Sequence, residues 1–169
     1  MIHVLGAALV AAGGAWMGFQ AAAGLRRNVE AVRQMGAGLA LLERELELCA
    51  PPLKQLLNRG AAGSQGPAAA LFQGCVQGID CLAQEDFSSL WRRLVQELEE
   101  LNQEGQAVLL PLGDTLGRYE EARQREALSA ARRRLEELAG RMEEDSRRLG
   151  RVYQVLGLSG GAFLVILLL

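Results

Sequence analysis

The chain has 169 residues, half of them hydrophobic and 22% charged, with 18 Lys and Arg against 20 Asp and Glu for a net charge of −2. That length allows one ordinary domain plus membrane segments. With acids mixed among the bases, the charged part of the chain has no basic surface of the kind that holds a phosphate backbone, which argues against nucleic acid as a partner. Every Asp, Glu, Lys and Arg lies between Arg26 and Arg151, so the chain divides into an apolar head, a charged middle and an apolar tail.

The head, residues 1–25, mixes many Ala and Gly with Ile2, Val4, Leu5, Leu9, Val10, Trp16, Met17 and Phe19. Ala21-Ala22-Ala23 has the small residues of a signal-peptide cleavage site, but a signal peptide carries a positive start, and only His3 stands near this one. The head therefore reads as an uncleaved N-terminal transmembrane helix. Gly14 and Gly18, continued by Ala22, form a small-residue stripe of the kind that lets membrane helices approach closely. Arg26, Arg27 and Arg33 follow it.

The middle, residues 26–151, reads as helix throughout, with no convincing alternating strand. Asn28 is a candidate cap for a helix whose apolar stripe is Val29, Val32, Met35, Leu39, Leu42, Leu46 and Cys49. Pro51-Pro52 ends it, since Pro51 lacks an amide donor and disfavours helical geometry at Ala50, while Pro52 can open the next helix with Leu53, Leu56 and Leu57. Gly60 to Gly66 reads as a flexible surface loop. A helix from Pro67 then buries Leu71, Phe72, Cys75, Val76 and Ile79, weakened by Gly74 and Gly78. Asp86 is a candidate cap for an amphipathic helix with Phe87, Leu90, Trp91, Leu94, Val95, Leu98 and Leu101 on one face. Asn102 to Gly105 breaks it, Val108 to Leu112 makes a short apolar turn around Pro111, and Asp114 is a natural cap near Thr115, Leu116 and Tyr119. The last helix carries Leu128, Ala131, Leu135, Leu138, Met142, Leu149 and Val152 in a heptad-like seam, read as packing within the bundle rather than between molecules.

The tail, Val152 to Leu169, is 18 residues without a charge. As a helix it spans about 27 Å at ~1.5 Å per residue, close to the hydrocarbon thickness of a bilayer. Gly157 and Gly161 repeat the small-residue spacing of the head. Arg147, Arg148 and Arg151 precede this span as Arg26, Arg27 and Arg33 follow the first, and the positive-inside rule then puts the middle in the cytoplasm. The expected architecture is all-α: a cytoplasmic bundle of about six helices flanked by N- and C-terminal transmembrane helices. A continuous helix from Glu120 to Leu169 would act as one lever-like unit, and Gly150 and Gly157 are where it could break.

Chemistry is scarce. The single histidine, His3, lies in the head, which removes Ser-His, Cys-His and histidine-metal arrangements. Cys49, Cys75 and Cys81 form no C-x-x-C pair, and the stripe positions of Cys49 and Cys75 suit reduced, buried thiols. The glycine-rich 60–66 stretch lacks the Gly-Lys-Ser/Thr ending of a phosphate loop and follows no strand. Glu99-Glu100, Glu136-Glu137 and Glu143-Glu144 alternate with arginines as a solvated helix face does. No catalytic residue, cofactor, metal or small-molecule substrate is expected. A membrane-anchored signalling or adaptor protein is the alternative, though no output module stands in the chain.

The run from Leu112-Gly113 through Leu116-Gly117-Arg118-Tyr119-Glu120 to Gln124, then a long charged helix and Leu156-Gly157-Leu158-Ser159-Gly160-Gly161 before the apolar end, resembles the stage III sporulation protein AB family. Trp16, Gly18 and Phe19 in the head, and Leu41-Leu42-Glu43-Arg44-Glu45-Leu46 leading to Pro52-Leu53, are similar to the family's front half. Glu120 stands where the family usually has Asp, and Pro51 where it has Thr. The resemblance implies a mother-cell protein in the outer membrane around the forespore, with a helical domain like the cytoplasmic domains of type II secretion platform proteins. It further implies a non-enzymatic place in an export or channel complex beside a secretion-type ATPase and other stage III sporulation complex proteins. The candidate docking residues are Leu112, Gly113, Leu116, Gly117, Arg118, Glu120, Glu121 and Gln124, and the candidate membrane-packing residues are Gly14, Gly18, Gly157 and Gly161.

Overall fold

The computed structural model describes the backbone of residues 2–79 and 86–168, and the side-chain surroundings of residue 24, residues 26–79 and residues 86–148. Among the described residues there are seven helices and no strand: α1 (Ile2–Cys49), α2 (Leu53–Gly63), α3 (Gly66–Ile79), α4 (Phe87–Gln96), α5 (Gln103–Leu109), α6 (Leu112–Thr115) and α7 (Glu121–Leu168). The chain divides into two compact units, residues 28–140 and residues 1–27 with 141–169.

At neither end does the helix break between the expected span and the bundle. Helix α1 runs through Asn28 without a start there, and α7 runs unbroken through Gly150 and Gly157. Asn28 is therefore no cap, because the helix preceding it already satisfies the amides a cap would serve. Both expected spans are helical as parts of α1 and α7, but their side chains, with Gly14, Gly18, Gly157 and Gly161, lie outside the described residues. Among the described residues no helix is long and apolar enough to cross a membrane.

In the 28–140 unit the stripe Val29, Val32, Met35, Leu39, Leu42 and Leu46 of α1 is buried as its spacing dictates. Ala50 ends the helix in the left-handed region at φ 41, its amide still donating to the Leu46 carbonyl at 3.2 Å, and Pro51 permits no further turn. Cys49 falls past the last buried turn and is exposed, against expectation, whereas Cys75 is buried and its thiol is pushed up to about 12 by desolvation.

The 60–66 stretch is not a loop. Helix α2 continues through Gly63 and α3 starts at Gly66, leaving only Ser64 and Gln65 between them. Gly60 faces the core, where an added Cβ would sit 2.5 Å from a Leu42 methyl and 3.1 Å from the Phe72 ring. Two alanines and the absence of charge let this segment stay helical and turn inward. An ideal Cβ on Gly78 would lie 2.6 Å from both Leu90 methyls, so the glycines that weaken α3 as an isolated helix let it approach α4.

Helix α4 ends at Gln96, short of the expected Leu101, although Leu101 is still buried. The chain tightens into turns, and the Gln106 side-chain amide donates to the Leu98 and Leu101 carbonyls at 3.1 and 3.3 Å, satisfying groups a longer helix would have paired. Asn102 caps α5, accepting from the Gly105 amide at 2.9 Å. The first part of the α7 seam, Leu128, Ala131, Leu135 and Leu138, is buried in this unit beside Ala139, where Arg132 pairs with Glu43 of α1 at 3.2 Å; the side chains of Leu149 and Val152 lie outside the described residues.

A candidate docking turn

Helices α4, α5 and α6 build the support for residues 112–124. The Trp91 indole is fully buried and donates from Nε1 to the Leu109 carbonyl at 2.9 Å, which fixes the end of α5. Gly113 lies on the same residue, and a Cβ there would come within 2.7 Å of Trp91 Cδ1 and 3.0 Å of Trp91 Cβ. Leu112 and Leu116 are buried on either side. Three of the eight candidate docking residues, Leu112, Gly113 and Leu116, therefore hold the turn from beneath and offer no surface.

At Gly117 the chain reverses with φ +77, a left-handed conformation that side chains rarely adopt, and a Cβ would sit 2.7 Å from a Leu53 methyl. Gln124, one turn into α7, closes the reversal. Its carbonyl oxygen accepts from the Gly117 amide at 3.2 Å, and its amide nitrogen donates to the Tyr119 carbonyl at 2.6 Å. Arg118, Tyr119, Glu120 and Glu121 are exposed, and the Arg123 guanidinium lies 5.5 Å from the centre of the Tyr119 ring.

Arg118 also pairs with Asp86 at the start of α4. Asp86 occupies the expected cap position, but its carboxylate accepts from the Ser88 hydroxyl at 2.9 Å and from Arg118, and its backbone carbonyl receives the Ser89 and Leu90 amides. The Ser88 hydrogen bond first, then Arg118, holds its carboxyl below the usual range. Sequence reasoning missed Trp91, Leu53, Asp86 and Ser88 as members of this region, because each comes from a segment far along the chain. Among the described residues no group of His, Cys, Asp and Glu could hold a metal ion.

The model of stage III sporulation protein AB matches residues 3–169 of the chain. The chain belongs to the stage III sporulation protein AB family. Stage III sporulation protein AB of Bacillus subtilis (strain 168) is 24% identical over 172 residues, covering 100% of both chains. A solved structure of a stage III sporulation protein AB shares the fold, with a TM-score of 0.61 and 22% identity over 72% of this chain and 97% of that one. Membership places the chain among sporulation proteins, and the helical bundle is the fold shared with that solved relative.

Proposed function

We propose that the chain is a non-enzymatic platform component of a sporulation export or channel complex. In this reading residues 1–25 and 152–169 span the outer forespore membrane, residues 26–151 face the mother-cell cytoplasm, and the exposed rim of the 112–124 turn docks a secretion-type ATPase beside other stage III sporulation complex proteins. Family membership supports the setting. The observation that carries the docking surface is the build of the turn, where a buried base of Leu112, Gly113 and Leu116 and the Gln124 clamp hold charged Arg118, Glu120 and Glu121 outward with Tyr119 among them. A rigid, exposed, mixed-charge rim around one aromatic side chain suits recognition of a protein surface, since little ordering entropy is lost on binding.

Glu121 is the cleaner residue to change, because reversing Arg118 also breaks its pair with Asp86. Co-purification from detergent is expected to recover a secretion-type ATPase with the unmodified chain and much less of it with Glu121→Arg combined with Glu120→Arg. Unchanged ATPase recovery with that double variant would count against docking at this rim, and recovery of the unmodified chain without any complex partner would sink the platform reading.

A further inference from the structure

Charge is divided unequally between the two units. Residues 1–27 with 141–169 carry six arginines against three acids, net +3, while residues 28–140 carry twelve bases against seventeen acids, net −5. The positive unit is also the one that holds both charge-free stretches. Arg26 and Arg27 stand one residue past the first of these, and Arg147 and Arg148 stand one turn before the second. All four side chains are exposed.

Neighbouring residues on a helix point about 100° apart. Each arginine pair therefore spreads around its own helix instead of forming a patch on one side. Arg147 contacts Glu143 at 2.6 Å across one helical turn, but with 75% of its side chain exposed this pair competes weakly against another anion. A guanidinium binds a phosphate through two parallel hydrogen bonds and remains charged throughout the physiological range.

We propose that Arg26, Arg27, Arg147 and Arg148 form a collar that binds the phosphates of anionic lipid headgroups. This rests on the membrane placement given under the proposed function. The acidic 28–140 unit is repelled by the same headgroups, so attraction confined to the collar also sets which part of the chain lies against the membrane surface. Each arginine near an anionic bilayer surface raises association roughly fivefold.

The test uses the full chain in detergent micelles doped with equal amounts of phosphatidylglycerol and phosphatidylcholine, with retained lipids counted by native mass spectrometry. The unmodified chain is expected to retain phosphatidylglycerol over phosphatidylcholine by about 25-fold, what two arginines at roughly fivefold each supply. In the variant Arg26→Gln, Arg27→Gln, Arg147→Gln, Arg148→Gln the ratio is expected to fall at least about fivefold, with Arg151 beside the second stretch still in place. The variant Arg92→Gln, Arg134→Gln, which removes exposed charge from the other unit, is expected to keep the preference. A ratio near one for the unmodified chain, or an undiminished ratio for the collar variant, overturns the proposal. A preference abolished by millimolar inorganic phosphate assigns the arginines to a free anion and overturns the headgroup reading. A chain that stays dispersed without detergent overturns the membrane placement itself, a result distinct from insertion without lipid preference.

Discussion

Residues 60–66 and residues 113–117 are built to the same plan and end differently. In each, a helical glycine lies against a large aromatic side chain, Gly60 on Phe72 and Gly113 on Trp91, and a glycine with positive φ follows, Gly66 at +56° and Gly117 at +77°. Beyond Gly66 the chain enters another core helix through the buried Pro67 and Ala68. Beyond Gly117 it emerges as Arg118, Tyr119, Glu120 and Glu121, all exposed. The same glycine geometry therefore serves to close a core in one place and to carry a charged rim in the other, and the residues that follow the second glycine decide which.

The largest effect is expected at the aromatic beneath the rim. Trp91→Ala removes a fully buried side chain and leaves the Leu109 carbonyl without its donor, so it should cost about 3–5 kcal/mol, read from denaturant unfolding of the full chain in micelles. A loss below about 1 kcal/mol would mean that the turn does not depend on this support.

The two helical glycines sharpen the contrast. An added methyl at Gly113 meets Cβ, Cγ and Cδ1 of Trp91, which cannot swing away, so Gly113→Ala should destabilise by about 1–3 kcal/mol. At Gly60 the nearest atom is the methyl end of Leu42 at 2.5 Å, the Phe72 ring stands off at 3.1 Å, and the gain in helix propensity of about 1 kcal/mol offsets much of the crowding. Gly60→Ala should stay within about 1 kcal/mol of the unmodified chain in the same measurement. Equal losses at both sites would break the comparison.

The smallest effect concerns the polar tie of the rim. The Asp86 carboxyl titrates below its ordinary value in the folded chain, so its contribution is present above the unfolded pKa and is lost as pH falls through the folded one. The melting temperature of the unmodified chain should exceed that of Asp86→Asn slightly near neutrality. The two should converge as pH drops below the usual carboxylate value of roughly 4. A difference that persists at low pH would show that Asp86 acts other than through its charge.

Much of the bundle could be read from spacing. Val29 to Leu46, Leu56, Leu57, Leu71, Phe72, Leu90, Trp91 and Leu128 to Leu138 are buried where period and apolar character put them. Spacing fails where a stripe outlasts its neighbours, as at Cys49, which continues the pattern of α1 after the core has ended. It fails again at Gly60 to Gly66, because glycine reads as a breaker until the partner that needs the space, Leu42 or Phe72, is known. The 112–124 turn is legible as a segment but not in its division of labour. Nothing local to Leu112, Gly113 or Leu116 says that they lie under Trp91, or that Arg118 reaches Asp86 32 residues earlier.

Surface connections generally accept extra residues readily, since doubling a loop's length costs only about 0.6 kcal/mol in closure entropy. The connection between α6 and α7 is different because Gln124 measures it. One side chain spans from the Gly117 amide to the Tyr119 carbonyl while its own backbone is held in α7. A residue inserted between Gly117 and Glu121 must break one of these two contacts or unwind the first turn of the helix. The spacing of this segment is thus gauged by a single glutamine, and its length is as much a structural requirement as its sequence.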